Sequence, residues 1–319
     1  MSDPLAEYRR KRNPKKTPEP FSGVDEANRS RFVIHQHHAR SLHWDLRLEH
    51  DGVLASWAVP RGLPRDPARN HLAVHTEDHP MEYLEFAGTI PAGEYGGGKM
   101  LVYDTGTYET EKWRDREVMI VLHGTKVSGR YVLFQTSGKD WMIHRMDPSP
   151  PGWTPMPSGV PFAVSRASQR LPAKDEEWAY ELEWPGRRVH VPVSGGRAEV
   201  DVPEIRALGP ALAPTECLLD GVIVAFVPNM YFVFDLLWLD GKSTVDLPYA
   251  DRRELLERLD LNGPNWQTPP HFTGGGRFAL DTARDQGLPA VIAKRLSSTY
   301  AEPDWRLIPV ERGNRRGHG

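Results

Sequence analysis

The chain has few of the features that would set it apart from ordinary globular proteins. Its one cysteine, Cys217, permits neither an internal disulfide nor a thiolate zinc cage, which fits a reducing compartment. No apolar run approaches the length of a membrane span, and the charged N-terminus lacks the apolar core of a signal peptide. The expected location is cytoplasmic, with no membrane partner. Charge of one sign is also missing: the net value of -3 leaves no global basic surface, so any contact with nucleic acid has to be local. With 319 residues, 39% of them hydrophobic and 26% charged, there is material for two cores of ordinary domain size.

One local basic stretch exists. Arg9, Arg10, Lys11, Arg12, Lys15 and Lys16 crowd residues 8–18 with no acid among them, a solvated arm unless something else here handles phosphate. Residues 147–161, DPSPPGWTPMPSGVP, hold too many prolines for a strand or helix interior and mark a seam. Before the seam, HLAVHTE, KMLVYDTGTYE, EVMIVLHG and GRYVLFQTS read as strands parted by Gly and Pro clusters, which predicts an all-β barrel or sandwich. After it, DRRELLERLD reads as a helix and YFVFDLLWLDG and AVIAKRLSS as strands, which predicts an α+β half.

The densest chemistry lies in HQHHARSLHWDLRLE, residues 35–49. From Leu42 the pattern has period two. Leu42, Trp44, Leu46 and Leu48 share one face, and His43, Asp45, Arg47 and Glu49 the other, as in a half-buried strand. Residues i and i+2 on one face lie roughly 6.5 Å apart, so His43 and Asp45 can lean toward one cation, and a hairpin after residues 32–34 would fold His37 beside His43. A one-sided sheet also shows water a polar face. Here, however, that face carries a nitrogen ligand, an oxygen ligand and a guanidinium in register, where a merely solvated one would favour Lys, Glu, Thr and Ser.

Two other motifs need sorting. GEYGGGKM has Gly93, Gly98 and Lys99 at P-loop spacing, but Met100 replaces the magnesium-binding Ser or Thr and a strand-like run follows where a helix is required. A hairpin turn is expected, without nucleotide. In HTEDHPMEY, the spacing of His75 and His79 could suit a helix, yet LAV before it and Pro80 after it predict a strand running into a loop. Loop histidines beside a polar sheet face suit acid or phosphate-contacting roles.

Together HHARSLHWDLRLEHDGVLASWAVPRG, TEDHPMEY and GTIPAGEYGGG closely resemble the 3'-phosphoesterase domain of bacterial DNA ligase D, over about residues 8–147. The resemblance implies a compact β-barrel with one divalent metal, usually manganese, that trims 3' DNA ends. It implies His37, His43 and Asp45 as metal ligands, Arg47 and His79 as groups on the scissile phosphate, and Tyr83 beside them. It further implies a substrate-contacting N-terminal element with Arg12 and Glu19. Asn13 stands where an aspartate is usual, His71 where an arginine is expected, and Arg61 where a substrate-binding lysine is expected. Two imidazoles and a carboxylate suit manganese, with zinc or cobalt as alternatives, and leave coordination sites open to substrate. A 3'-phosphate or a 3'-terminal ribonucleotide would be converted to a 3'-hydroxyl. His79 could serve as general acid or as charge stabiliser.

Past the seam, WAYELEWPGRRVHV, CLLDGVIVAF, YFVFDLLWLDGKSTVDLPYADRRELLERL and AVIAKRLSSTYAEPDWRLIPV resemble in order the adenylation domain of ATP-dependent DNA ligases, the nucleotidyltransferase fold, over residues 162–310. The nucleophilic lysine of K-x-D-G is Glu183 here; expected acids are Val222 and Pro289, and expected lysines are Leu307 and Pro309. A carboxylate cannot form a lysine-type phosphoramidate and would repel ATP. The expectation is a domain that folds but does not adenylate and takes no ATP, with no oligonucleotide-binding domain after it. Arg187, Arg188, Lys294 and Arg295 are either phosphate contacts or ordinary surface charges.

The expected organisation is therefore a basic arm (1–30), a phosphoesterase-like barrel (31–147), a Pro-rich linker (148–161), a degenerate ligase-like domain (162–310) and a basic tail (311–319). The expected function is end cleaning for end-joining repair at the nucleoid, with the Ku end-binding protein and a separate DNA ligase as partners implied by the resemblance. The competing expectation is a non-catalytic scaffold that binds DNA ends.

Overall fold

The computed structural model describes residues 3–21, 29–226 and 228–310 and divides between Pro151 and Gly152 into two units. The expected basic tail, 311–319, lies outside the described residues, as does 22–28 of the arm.

The first unit opens with helix α1 (Ala6–Lys11) and continues through β1 (Arg31–His38), β2 (Leu42–His50), β3 (Val53–Val59), β4 (Asn70–His75), β5 (Gly88–Ile90), β6 (Gly98–Arg114), β7 (Glu117–Gly124), β8 (Ser128–Ser137) and β9 (Asp140–Arg145). The hydrogen-bonded path runs β1-β2-β3-β4-β9-β8-β7-β6-β5, and β1 also pairs with β6, which closes an eight-stranded barrel with β5 attached outside the ring. Closure leaves the ring without a free edge. The Gly-rich segment is a hairpin connection in which Ile90 pairs with Gly98, and it opens a strand rather than a helix. Gly98 has a φ of +149°, and a Cβ there would lie 2.4 Å from the His38 carbonyl oxygen, so the close approach of β6 to β1 requires glycine.

Alternation sends Phe32, Ile34, Leu46 and Leu48 to the barrel interior, where all four are fully buried. The opposite face of β2 departs from the expected solvated row: Asp45, Arg47 and Glu49 are buried, and only His43 and His50 on this strand are partly exposed. The cover is local. Tyr8 of α1, with Tyr83 and Leu84 from a 3-10 turn at Met81–Leu84, packs over Val33 and Leu54 on the outside of the barrel. Both faces of the strand are thus buried, one by ring closure and one by the N-terminal segment.

The second unit has mixed composition. Its strands are β10 (Arg166–Ala167), β11 (Trp178–Leu182), β12 (Arg187–Ser194), β13 (Arg197–Ala198), β14 (Cys217–Val224), β15 (Met230–Leu239), β16 (Lys242–Ser243), β17 (Trp266–Gln267), β18 (Phe272–Thr273), β19 (Ala290–Arg295) and β20 (Trp305–Pro309), and its helices are α2 (Leu208–Leu212), α3 (Tyr249–Glu257) and α4 (Gly276–Asp285). They form a sheet in the order β10-β20-β19-β11-β18 and another in the order β13-β12-β14-β15-β16, with β17 beside β15. Much of the Pro-rich segment is laid on this unit: Thr154 N–H donates to the Gly241 carbonyl at 2.6 Å, Trp238 Nε1 donates to the Thr154 carbonyl at 2.9 Å, and Met156 and Val160 pack with Leu237 and Trp238. Among the described residues, no helix is long and apolar enough to cross a membrane.

Candidate metal centre

The β1–β2 register sets the site. His37 faces His43 and His35 faces Asp45 across the antiparallel pair, so all four side chains share the outer face. His37 Nδ1 lies 3.7 Å from Asp45 Oδ2 and His43 Nε2 lies 3.6 Å from Asp45 Oδ1. The three donor atoms lie within 4.8 Å of one another.

The remaining ring nitrogens fix the tautomers. His37 Nε2 is 2.9 Å from the Gly96 carbonyl oxygen and His43 Nδ1 is 3.0 Å from the Ser41 carbonyl oxygen. A carbonyl only accepts, so those nitrogens carry the protons and the inner nitrogens turn lone pairs toward a carboxylate. Lone pairs facing an anion repel each other unless a cation sits between them. Carbonyl anchoring of the outer N–H also orients ligating histidines in metal sites. The donor set, two nitrogens and one oxygen, therefore fits a divalent metal ion.

Arg47 backs this triangle. Its Nη2 donates to Asp45 Oδ2 at 2.9 Å, its Nη1 to Ser56 Oγ at 3.0 Å and its Nε to His35 Nδ1 at 3.4 Å, with the guanidinium 4.9 Å from the centre of the Tyr83 ring. Burial alone would raise the Asp45 carboxyl, but the Arg47 guanidinium beside it holds it well below the usual carboxylate range. Burial and the Arg47 charge push His35 down to about 3, so it stays neutral.

The N-terminal segment supplies the other wall. Arg12 donates to Glu19 Oε1 at 2.6 Å and Glu77 Oε1 at 2.8 Å, and its Nη2 lies 3.2 Å from His79 Nε2. Arginine has no acceptor, so His79 Nε2 offers its lone pair, and Nδ1 donates to the Glu77 carbonyl at 2.8 Å. Burial and the charges of Arg47 and Arg12 hold the ring neutral, its pKa well below the ordinary value. In this tautomer Nε2 has no proton to give. The Tyr83 hydroxyl donates to Glu19, which also accepts from Thr17 Oγ1 at 2.6 Å, and burial raises the Tyr83 hydroxyl's pKa.

The structure thus brings Arg12, Glu19, His37, His43, Asp45, Arg47, His79 and Tyr83 into one connected cluster. Arg61 is exposed in the turn after β3, near His71. His75 packs on Trp57 and Trp141, with ring centroids at 5.2 and 5.9 Å, and not on His79's side of the fold. Sequence reasoning passed over His35, Ser56 and Glu77, which buttress Arg47 and Arg12. Ser56 is signalled only by its pairing with Arg47 in the β2–β3 register, and Glu77 only by its place between two chosen histidines.

In the second unit Glu183 follows β11, its N–H donating to the Ala290 carbonyl at 3.0 Å and its carboxyl raised by burial. The four basic residues singled out there each meet an acid: Arg187 with Asp201 at 2.6 Å, Arg188 with Asp220 at 2.6 Å, Lys294 with Glu181 at 2.8 Å and Arg295 with Glu177 at 3.2 Å.

Residues 35–135 match the model of the DNA Ligase D 3'-phosphoesterase domain. Across 94% of its length the chain is 40% identical to the multifunctional non-homologous end joining protein LigD of Mycolicibacterium smegmatis, covering 44% of that protein. Across the same share it is 31% identical to the LigD of Pseudomonas aeruginosa, covering 46%. A solved mycobacterial DNA ligase D complexed with ATP and MES shares 29% identity over 46% of this chain and 60% of that one, with a TM-score of 0.41, too loose a superposition to define a fold. The chain spans less than half the length of these two curated relatives. Residues 35–135 are thus similar to the LigD 3'-phosphoesterase domain, and the homologues that match nearly the whole chain are LigD proteins.

Proposed function

We propose that the first unit is a divalent-metal-dependent phosphoesterase that removes a 3'-phosphate or a 3'-terminal ribonucleotide and leaves a 3'-hydroxyl on DNA. The observation that carries this reading is the His37, His43 and Asp45 triangle with its lone pairs converging and Arg47 behind it. When bound, a metal ion held by these three, manganese by preference and zinc or cobalt by the same donor chemistry, supplies Lewis-acid polarisation of a phosphoryl oxygen. Arg47 turns guanidinium N–H groups to the remaining oxygens, a bidentate match for phosphate. Arg12 and Arg61 contribute positive charge for substrate, Glu19 fixes Arg12 and Tyr83, and the Tyr83 hydroxyl is a donor to the phosphoryl group once turned from Glu19. His79, with its Nε2 lone pair, enters as a proton acceptor, and it becomes a general acid only after taking a proton there.

The ligase-like region, in this reading, does not self-adenylate. Glu183 offers no amine, and the Lys294 ammonium is already held by Glu181 at 2.8 Å, both side chains buried. The region acts as a support or docking platform, the partners being DNA ends, the Ku protein and a ligase working in trans.

The test is release of phosphate from a 3'-phosphorylated primer-template. Release that requires manganese and is abolished by His43→Ala is the expected result. Protein that binds ends yet turns over nothing with manganese, cobalt or zinc would be a scaffold instead. A covalent AMP adduct on incubation with ATP would overturn the reading of the second unit.

A further inference from the structure

A trench of about 840 Å³ opens beside the metal triangle, between the β1–β2 turn (His38, Arg40, Ser41) and the Gly-rich β5–β6 turn (residues 92–99), with His43 on its wall. Its size is that of a small-molecule site. The rest of the triangle's surroundings are closed: His35, Arg47, His79 and Tyr83 are all buried, and His43 is the one ligand partly open to solvent. A chain that leads to a phosphate held by Arg47 therefore has to arrive over His43, along this trench.

The charges on its rim differ from those around it. Lys11, Arg12, Arg31 and Arg47 each pair with a carboxylate, and Glu94, the acid on the trench wall, already meets Lys16 at 3.7 Å. Arg40 and Lys99 have no carboxylate partner among the described residues, and both line the trench. Lys99 is the register partner of His38, one residue beyond the His37 ligand, and Arg40 precedes the Ser41 carbonyl that anchors His43. Among the described residues, two unneutralised cations flank this approach to the site.

We propose that this trench seats the nucleotides on the 5' side of the reactive phosphate, with Lys99 and Arg40 neutralising backbone phosphates of the strand being trimmed. The proposal rests on the phosphoesterase reading for its direction, but the binding it asserts is measurable without turnover. A single-stranded substrate ending in a 3'-phosphate has no leaving nucleoside, so any demand it places on the trench comes from its 5' side. With manganese, Lys99→Gln combined with Arg40→Gln is expected to raise KM for this substrate about tenfold and leave kcat within about twofold. In EDTA, fluorescence anisotropy with the same oligonucleotide is expected to show the slope of log K against log salt falling by about 0.7 for each cation removed.

Unchanged KM and unchanged salt slope in the double variant, alongside a working wild-type enzyme, would overturn the trench and leave the phosphoesterase reading intact. An effect confined to ribonucleotide-ended substrate would overturn it too, because the trench would then hold the leaving nucleoside. If the wild-type protein releases no phosphate with any metal and the salt slope still falls, the trench stands as a DNA seat and the catalytic reading falls.

Discussion

Asp45→Asn separates the metal's contribution from the protein's own. The substitution keeps shape and one oxygen for Arg47, but it removes the charge that Arg47 meets at 2.9 Å in a nearly water-free site. A buried guanidinium stripped of its counter-charge costs about 3–5 kcal/mol. The low end applies here, because Ser56 Oγ and His35 Nδ1 still accept from Arg47 and the new amide can donate to a histidine lone pair that formerly faced a carboxylate. The metal-free variant should therefore unfold about 3 kcal/mol more easily than metal-free wild type. Wild type at a manganese concentration about 100 times its Kd gains about 2.7 kcal/mol. If losing the carboxylate weakens binding about 100-fold, the variant at that concentration gains only about 0.4 kcal/mol. Urea unfolding after EDTA dialysis, with and without manganese, measures both differences. An equal metal-dependent gain in the two proteins would show that the ion binds elsewhere and refute the assignment of the triangle.

Acid should weaken the metal-free fold in a defined window. His35, held to about 3, and His79, also depressed, stay neutral when folded and take up protons when unfolded. Their stabilisation is whole above about pH 6.5 and falls as pH drops below it, by about 1.4 kcal/mol per pH unit for each histidine; urea midpoints that do not move between pH 7 and pH 5 would contradict this. Arg12→Leu leaves Glu19 and Glu77 buried without their guanidinium, although Lys11 still reaches Glu77 at 2.8 Å. The expected loss is about 3 kcal/mol, and a loss below about 1 kcal/mol by urea unfolding would mean that the N-terminal segment does not cover the site.

The hairpin and its convergent donor side chains were legible because period-two spacing and a short turn leave little freedom in register: once β1 and β2 pair about Ala39–Ser41, His37 must face His43. Ring closure was not legible in the same way, since it depends on β1 meeting β6 some seventy residues later, with a register shift between Ile34 and His35. Nor was the burial of the polar face. Period two distinguishes two faces but not what covers each, and the cover comes from Tyr8 and Tyr83, whose neighbours in sequence give no sign that they meet. The basic run at residues 8–18 reads as a solvated arm by composition, yet Arg12 is one of the most buried cations of the first unit because its acids, Glu19 and Glu77, come from outside that run.

That burial has a chemical consequence. On an open sheet face, Asp45 and Arg47 would form a surface pair worth at most about 1 kcal/mol, and His79 would titrate freely near neutral pH. Under the N-terminal segment, Arg12 and Arg47 keep His79 neutral, the Nδ1–H donates to the Glu77 carbonyl, and Nε2 carries no proton. The same segment that shuts water out therefore chooses the tautomer. A phosphate bound beside Arg47, as the phosphoesterase reading proposed above requires, would add negative charge near His79 and compete for Arg12, and both effects would raise the basicity of Nε2. On that reading, substrate would therefore shift His79 from a neutral acceptor toward a proton carrier, so that its protonation at a given pH would follow occupancy of the site.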